Sequence, residues 1–165
     1  MKSETKSFLS VLGMILIFCL LLLAIYFPQP EKKRVESDLK DCRENLKQIY
    51  SALLLYQEKY GVLPPHEDTD GLRFLFENNI DRDLSHFVCP GTTDQTRGEL
   101  REDTLSYYYF PPENGKAGQR DLLLCDHPGN HPGGVIQFMS GDGVISSFRL
   151  NKPVMRKDLP SEIRK

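Results

Sequence analysis

The strongest constraint on this chain lies in its first sixty residues. An uncharged run from Phe8 to Phe27 leads almost at once into an amphipathic segment, about Ser37 to Tyr60, and then into the stop Gly61-Val62-Leu63-Pro64-Pro65. No Asp, Glu, Lys or Arg occurs between Ser7 and Pro30. A helix of ~20 residues rises roughly 30 Å, the hydrocarbon thickness of a bilayer. The run therefore predicts an uncleaved single-pass transmembrane anchor over residues 7–28, with membrane lipid as its partner. A secretory signal would have a shorter apolar core and a small-x-small cleavage site. Leu23-Ala24-Ile25-Tyr26-Phe27-Pro28 offers no such site. Tyr26 and Phe27 suit the interfacial belt, and Pro28 and Pro30 end the helix. A removed signal and a buried helix are the alternatives. Lys2 and Lys6 precede the run, and Lys32, Lys33 and Arg34 follow it. Basic count alone favours a cytoplasmic C-terminal domain, whereas the placement of the cysteines favours an extracytoplasmic one.

The second segment has a regular apolar register: Leu39, Cys42, Leu46, Ile49, Leu53, Tyr56 and Tyr60. Steps alternating between three and four place all seven on one helix face. Ser37 or Asp38 can cap the start, and Gly61 with the prolines stops the end. Leu54 and Leu55 widen the stripe, which predicts deepest packing at that end. A two-stranded coiled coil is the alternative partner for such a stripe. The strand-like segments that follow favour packing on the chain's own sheet.

Beyond Pro65 comes an acidic loop, His66 to Asp70, then a short helix over Gly71–Asn78. Phe87-Val88-Cys89-Pro90 reads as extended and Gly91–Asp103 as a polar loop. Leu105–Phe110, Leu122–Cys125, Val135–Met139 and Val144–Phe148 read as strands; Ser140-Gly141-Asp142-Gly143 is a hairpin turn between the last two. The expected fold is α+β: a transmembrane helix, then a long spine helix on a small antiparallel sheet. The expected boundaries are 1–6 for a cytoplasmic N-terminus, 7–28 for the anchor, 29–150 for the domain and 151–165 for a loose charged tail. The formal net charge of the 165-residue chain is −2, so no basic surface recommends nucleic acid as a partner.

Cys42-Arg43-Glu44-Asn45-Leu46-Lys47-Gln48-Ile49, then Ala52-Leu53, Tyr56 and Tyr60-Gly61-Val62-Leu63-Pro64-Pro65, resembles the spine of type II secretion pseudopilins and related type IV pilin-like (prepilin-type) proteins. The likeness is to the planctomycete, verrucomicrobial and lentisphaeral kind. Phe87-Val88-Cys89-Pro90, Ser106-Tyr107, Asn130-His131-Pro132-Gly133-Gly134 and Asp142-Gly143 are similar to that family's Cys-Pro, Ser-Tyr and late His/Asp-Gly signatures. The resemblance implies a structural, non-enzymatic subunit in the inner (cytoplasmic) membrane, its C-terminal head extracytoplasmic or periplasmic. Its partners would be other pilin-like subunits or secretion-machine components. The chain departs from the family in its N-terminal processing motif. Gly13-Met14 is the only candidate leader junction, and Phe18 stands where such proteins carry Glu.

The cysteines and histidines leave several readings open. Cys42 on the stripe reads as a core thiol. Cys89 and Cys125 could pair as a disulfide outside the cell. Cys125, Asp126, His127 and His131 suggest a metal site: Cys125, His127 and His131 could supply three zinc ligands with Cys89 as a fourth. Asp126 or Asp142 with carbonyls could instead take calcium. A turn-rich loop with no bound cofactor is the plainer reading. Ser140 with Asp142 and His131 lacks a nucleophile elbow, so no enzyme is expected. The loops around Asn114 and His131 are expected to face partners.

Overall fold

The computed structural model describes residues 13–22, 30–92, 100 and 105–149. The chain divides into two compact units, Met1–Arg34 and Val35–Lys165. In the first, residues 13–22 are helical. The ends of the expected anchor, Phe8 and Phe27, lie outside the described residues, as does the charged tail. Among the described residues no helix is long and apolar enough to cross a membrane. The expected class of α+β with a transmembrane helix is corrected on that finding, and with it the single-pass inner-membrane placement. The longest helix, α1 (Pro30–Tyr60), has the length but carries charged residues along most of its turns. It also begins earlier than expected. Pro30 stands at its first position, where a missing N–H costs nothing, so the charged juncture is helical rather than a linker.

In the second unit, α1 buries Cys42, Leu46, Ile49, Ala52, Leu53 and Tyr56. Leu54 and Leu55 are instead 45% and 55% exposed, so the stripe does not widen at its end. Tyr60, the last of the seven register positions expected on the packing face, is 42% exposed as well, so the buried face ends at Tyr56. Gly61, at φ 80°, ends the helix, its N–H bonded to the carbonyl of Gln57 at 2.7 Å. Helix α2 follows (Asp68–Glu77). Gly71 packs so closely that a Cβ there would lie 2.0 Å from the His66 carbonyl and 2.6 Å from the Tyr109 ring. A single 3-10 turn, Leu84–Phe87, is capped by Asp83, whose carboxylate accepts the Ser85 N–H.

The sheet is an antiparallel meander in the order β1 (Tyr107–Tyr109), β2 (Leu122–Asp126), β3 (Val135–Ser140) and β4 (Ile145–Arg149). Tyr107 pairs with Asp126, and Cys125 with Phe138. Strand alternation therefore divides neighbours between faces. Tyr107, Tyr109, Leu124 and Met139 join the helix residues in the main core, while Cys125 and Ile136 form a second cluster with Tyr108 and Phe138. At the β3–β4 turn Gly143 adopts φ 80°, as expected of that Asp-Gly pair.

Candidate metal centre

Four segments distant in sequence converge beneath the N-terminal half of α1. Cys42 comes from the sheet-facing side of the helix. Cys89 follows the 3-10 turn, held against α1 by the Asn45 amide, which donates to the Val88 carbonyl at 2.9 Å. Asp126 is the last residue of β2, facing the helix because Cys125 faces away. His131 sits in the loop between β2 and β3. That loop is tied down by the Asn130 amide, which donates to the Ser106 carbonyl at 2.8 Å.

The functional atoms lie close together. Cys42 Sγ is 3.6 Å from Asp126 Oδ2. Cys89 Sγ is 3.6 Å from His131 Nε2. His131 Nε2 is 3.1 Å from Asp126 Oδ2. The ligand atoms of Cys42, Cys89 and His131 all lie within 4.8 Å of one another. All four residues are at most 2% exposed. Around them stand directed donors. The Tyr107 hydroxyl donates to Cys42 Sγ at 3.3 Å, the Gly91 N–H to Cys89 Sγ at 3.4 Å, and the Gln137 N–H to Asp126 Oδ1 at 2.8 Å. Gly91 must lack a side chain, since a Cβ would lie 2.8 Å from the Asn130 carbonyl, with His131 Nδ1 and Cys89 Sγ next nearest.

The proton affinities of these groups follow from the contacts. Cys89 is lowered to about 6 by the Cys42 thiol donating to it, against burial, with help from His131 and the Gly91 N–H. Cys42 is correspondingly pushed far up by that bond, by burial and by the Asp126 carboxylate. Burial pulls His131 down, but its bonds to Asp126 and Cys89 outweigh this and raise it to about 9. Burial raises Asp126 above the usual carboxylate range. The cluster thus gathers two sulfurs, an imidazole and a carboxyl group away from water, and these share protons. Such groups are costly to bury unless a counter-charge holds them.

Two chemical uses can be compared on this geometry. A Cys–His–Asp nucleophile relay needs the thiol and the carboxylate on different ring nitrogens. Here both meet Nε2, and His131 Nδ1 has no hydrogen-bond partner among the described residues. A tetrahedral zinc ion with bonds of ~2.3 Å to sulfur and ~2.0–2.1 Å to nitrogen and oxygen sets its ligand atoms about 3.3–3.8 Å apart. The Cys89–His131 separation of 3.6 Å lies in that range and the ligand atoms of Cys42, Cys89 and His131 lie within 4.8 Å of one another, while Asp126 stands against Cys42 Sγ and His131 Nε2.

Several expectations are corrected here. Cys89 and Cys125 are free thiols and do not pair. Cys125 belongs to the opposite face of the sheet and donates to the Asp126 carbonyl. Of the expected ligands Cys125, Asp126, His127, His131 and Asp142, only Asp126 and His131 reach the cluster. His127 is exposed, its ring 5.1 Å from that of Tyr108. Asp142 is exposed and accepts the Val144 N–H in the hairpin turn. His131 does not face partners, being buried, whereas Asn114 is exposed. Cys42 reads as a core thiol by its register. The signal that sets it apart is its companion Asp126, which strand alternation from Cys125 turns toward the same face.

No family model matches this chain, and neither a curated protein nor a solved structure does. The pseudopilin and secretion-system assignments therefore gain nothing from outside the residues themselves.

Proposed function

We propose that this chain is a metal-clamped structural and interaction domain, with zinc held by Cys42, Cys89 and His131 and with Asp126, beside His131, completing the set. The observation that carries this reading is the convergence of Cys89 Sγ and Asp126 Oδ2 on one ring nitrogen, His131 Nε2. Two thiolates, an imidazole and a carboxylate suit zinc, whereas calcium prefers six to eight oxygens. With Asp126 as the fourth ligand no position is left open, which favours a structural site over a catalytic one. When bound, the ion would neutralise the buried sulfurs and carboxylate and tie α1, the Cys89 segment, β2 and the His131 loop together.

Elemental analysis of the purified full chain tests the reading. One zinc per chain is expected, lost in Cys89→Ser and in His131→Ala. A chain purified without zinc, or zinc retained by both variants, refutes it. A second reading concerns partners. The long helix on an antiparallel sheet suits the pilin-like resemblance, and Leu54, Leu55, Tyr60 and Val62 expose apolar surface near the end of α1. On that basis we propose packing against other pilin-like subunits. Sedimentation of the chain and of Leu55→Glu tests it, and a concentration-independent monomer in both counts against it.

A further inference from the structure

We infer that Cys42 and Cys89 form a peroxide-sensitive dithiol, whose closure to a disulfide ejects the metal and releases the His131 loop. The inference rests on the zinc reading above. It starts from the two sulfurs lying side by side, within 4.8 Å, as the only thiols in the cluster. Cys125, the remaining described thiol of this unit, is turned to the other face of the sheet. A metal-bound thiol is deprotonated outright, so both sulfurs are thiolates in the loaded site.

The two are not equivalent in access. Cys42 lies on a helix wall beneath the Tyr107 hydroxyl and the Asp126 carboxylate. Cys89 lies under a surface turn in which Pro90 is exposed and Gly91 and Thr92 are half-buried. A small oxidant reaches Cys89 first through that turn. The Cys89 thiolate attacks one oxygen of hydrogen peroxide; an S–O bond forms, the O–O bond breaks, and the leaving hydroxide takes a proton from solvent. The Cys42 thiolate then attacks the sulfenyl sulfur. An S–S bond forms, the S–O bond breaks, and the second hydroxide leaves as water after taking a proton. Two thiolates lose two electrons, the peroxide gains them, and zinc departs unchanged as the aquated ion.

The disulfide keeps α1 joined to the Cys89 segment, so that half of the clamp survives. Asp126 and His131 lose their shared ion. The loop from His127 to Gly134 is then held by the Asn130 amide and the His127 N–H on the Ser106 carbonyl and by the direct His131–Asp126 contact. Oxidation would thereby be read out as a change in one loop rather than as global unfolding.

The test uses the zinc-loaded full chain, its zinc measured before treatment. Hydrogen peroxide is added, zinc release is followed with a chromogenic chelator, and the thiols are mapped by alkylation and peptide mass. One Cys42–Cys89 disulfide per zinc released is expected, with a mass loss of two hydrogens and Cys125 still alkylated after unfolding. Dithiothreitol and added zinc should restore the starting state. The Cys125→Ala chain should release zinc at the same rate. In Cys42→Ser, Cys89 should stop at the sulfenic acid and be trapped by dimedone. Loaded zinc that stays bound, a sulfinate at Cys89 with Cys42 free, or a disulfide involving Cys125 overturns the inference while leaving the zinc site standing. A chain isolated without zinc overturns both.

Discussion

Removing the metal should cost a large part of the stability of this domain without erasing its fold. The clamp joins four segments, at positions 42, 89, 126 and 131, and each ligand is at most 2% exposed. A ligand bound only by the native state, at a thousand times its dissociation constant, contributes about 4 kcal/mol. The compact unit Val35–Lys165 holds about 130 residues. At that size each kcal/mol moves the melting temperature by ~3–4 °C, so chelation should lower it by about 12–16 °C. The transition should remain cooperative, because the main core of Leu46, Ile49, Leu53, Phe87, Tyr107 and Leu124 does not depend on the ion. The assay is calorimetry of the zinc-loaded chain before and after a strong chelator, with metal content measured at each step. Cys125→Ala is the control and should retain the metal response. An unchanged melting temperature after verified zinc loss would refute the clamp.

Three further outcomes follow from the same contacts. Gly91→Ala should destabilise the domain by about 1–3 kcal/mol through overpacking against the Asn130 carbonyl, and should speed zinc loss to a chelator; equal off-rates would count against the close approach. Tyr107→Phe, which removes the hydroxyl bond to Cys42 Sγ, should cost about 0.5–1.5 kcal/mol in urea unfolding. A cost near zero would place that hydroxyl outside the cluster's energetics. The third concerns pH in the metal-free chain. His131, raised to about 9, contributes stability that is full below its ordinary 6.5 and lost as pH rises through about 9. Cys89, lowered to about 6, contributes stability that is full above its ordinary 9.0 and lost as pH falls through about 6. Between about pH 6.5 and 9 the two oppose each other. The metal-free urea midpoint should therefore be nearly level there, whereas the zinc-loaded chain should gain stability from acid toward neutral pH as its thiols deprotonate. A metal-free slope near a full proton, about 1.4 kcal/mol per pH unit, would contradict the shared proton.

The sequence by itself determined the local elements of the second unit. The three-four register from Leu39 marks the buried side of α1 through Tyr56, and the strands around Tyr107–Tyr109, Leu122–Asp126, Val135–Ser140 and Ile145–Arg149 announce themselves by composition and by the Gly141-Asp142-Gly143 turn. These signals are short-range, set by helical and strand periods and by turn residues. The sequence misled where a local pattern had no local arbiter. The uncharged run suggested a span that no described helix supports, and Leu54 and Leu55 proved exposed although they look like core. Only the tertiary structure decided the candidate site, because its four side chains come from four segments and none of their spacings in sequence is diagnostic. Whether Cys125 or Asp126 faced the helix depended on the β1–β2 register of Tyr107 against Asp126. A slip of one residue would have exchanged them, putting the thiol in the cluster and the carboxylate on the opposite face.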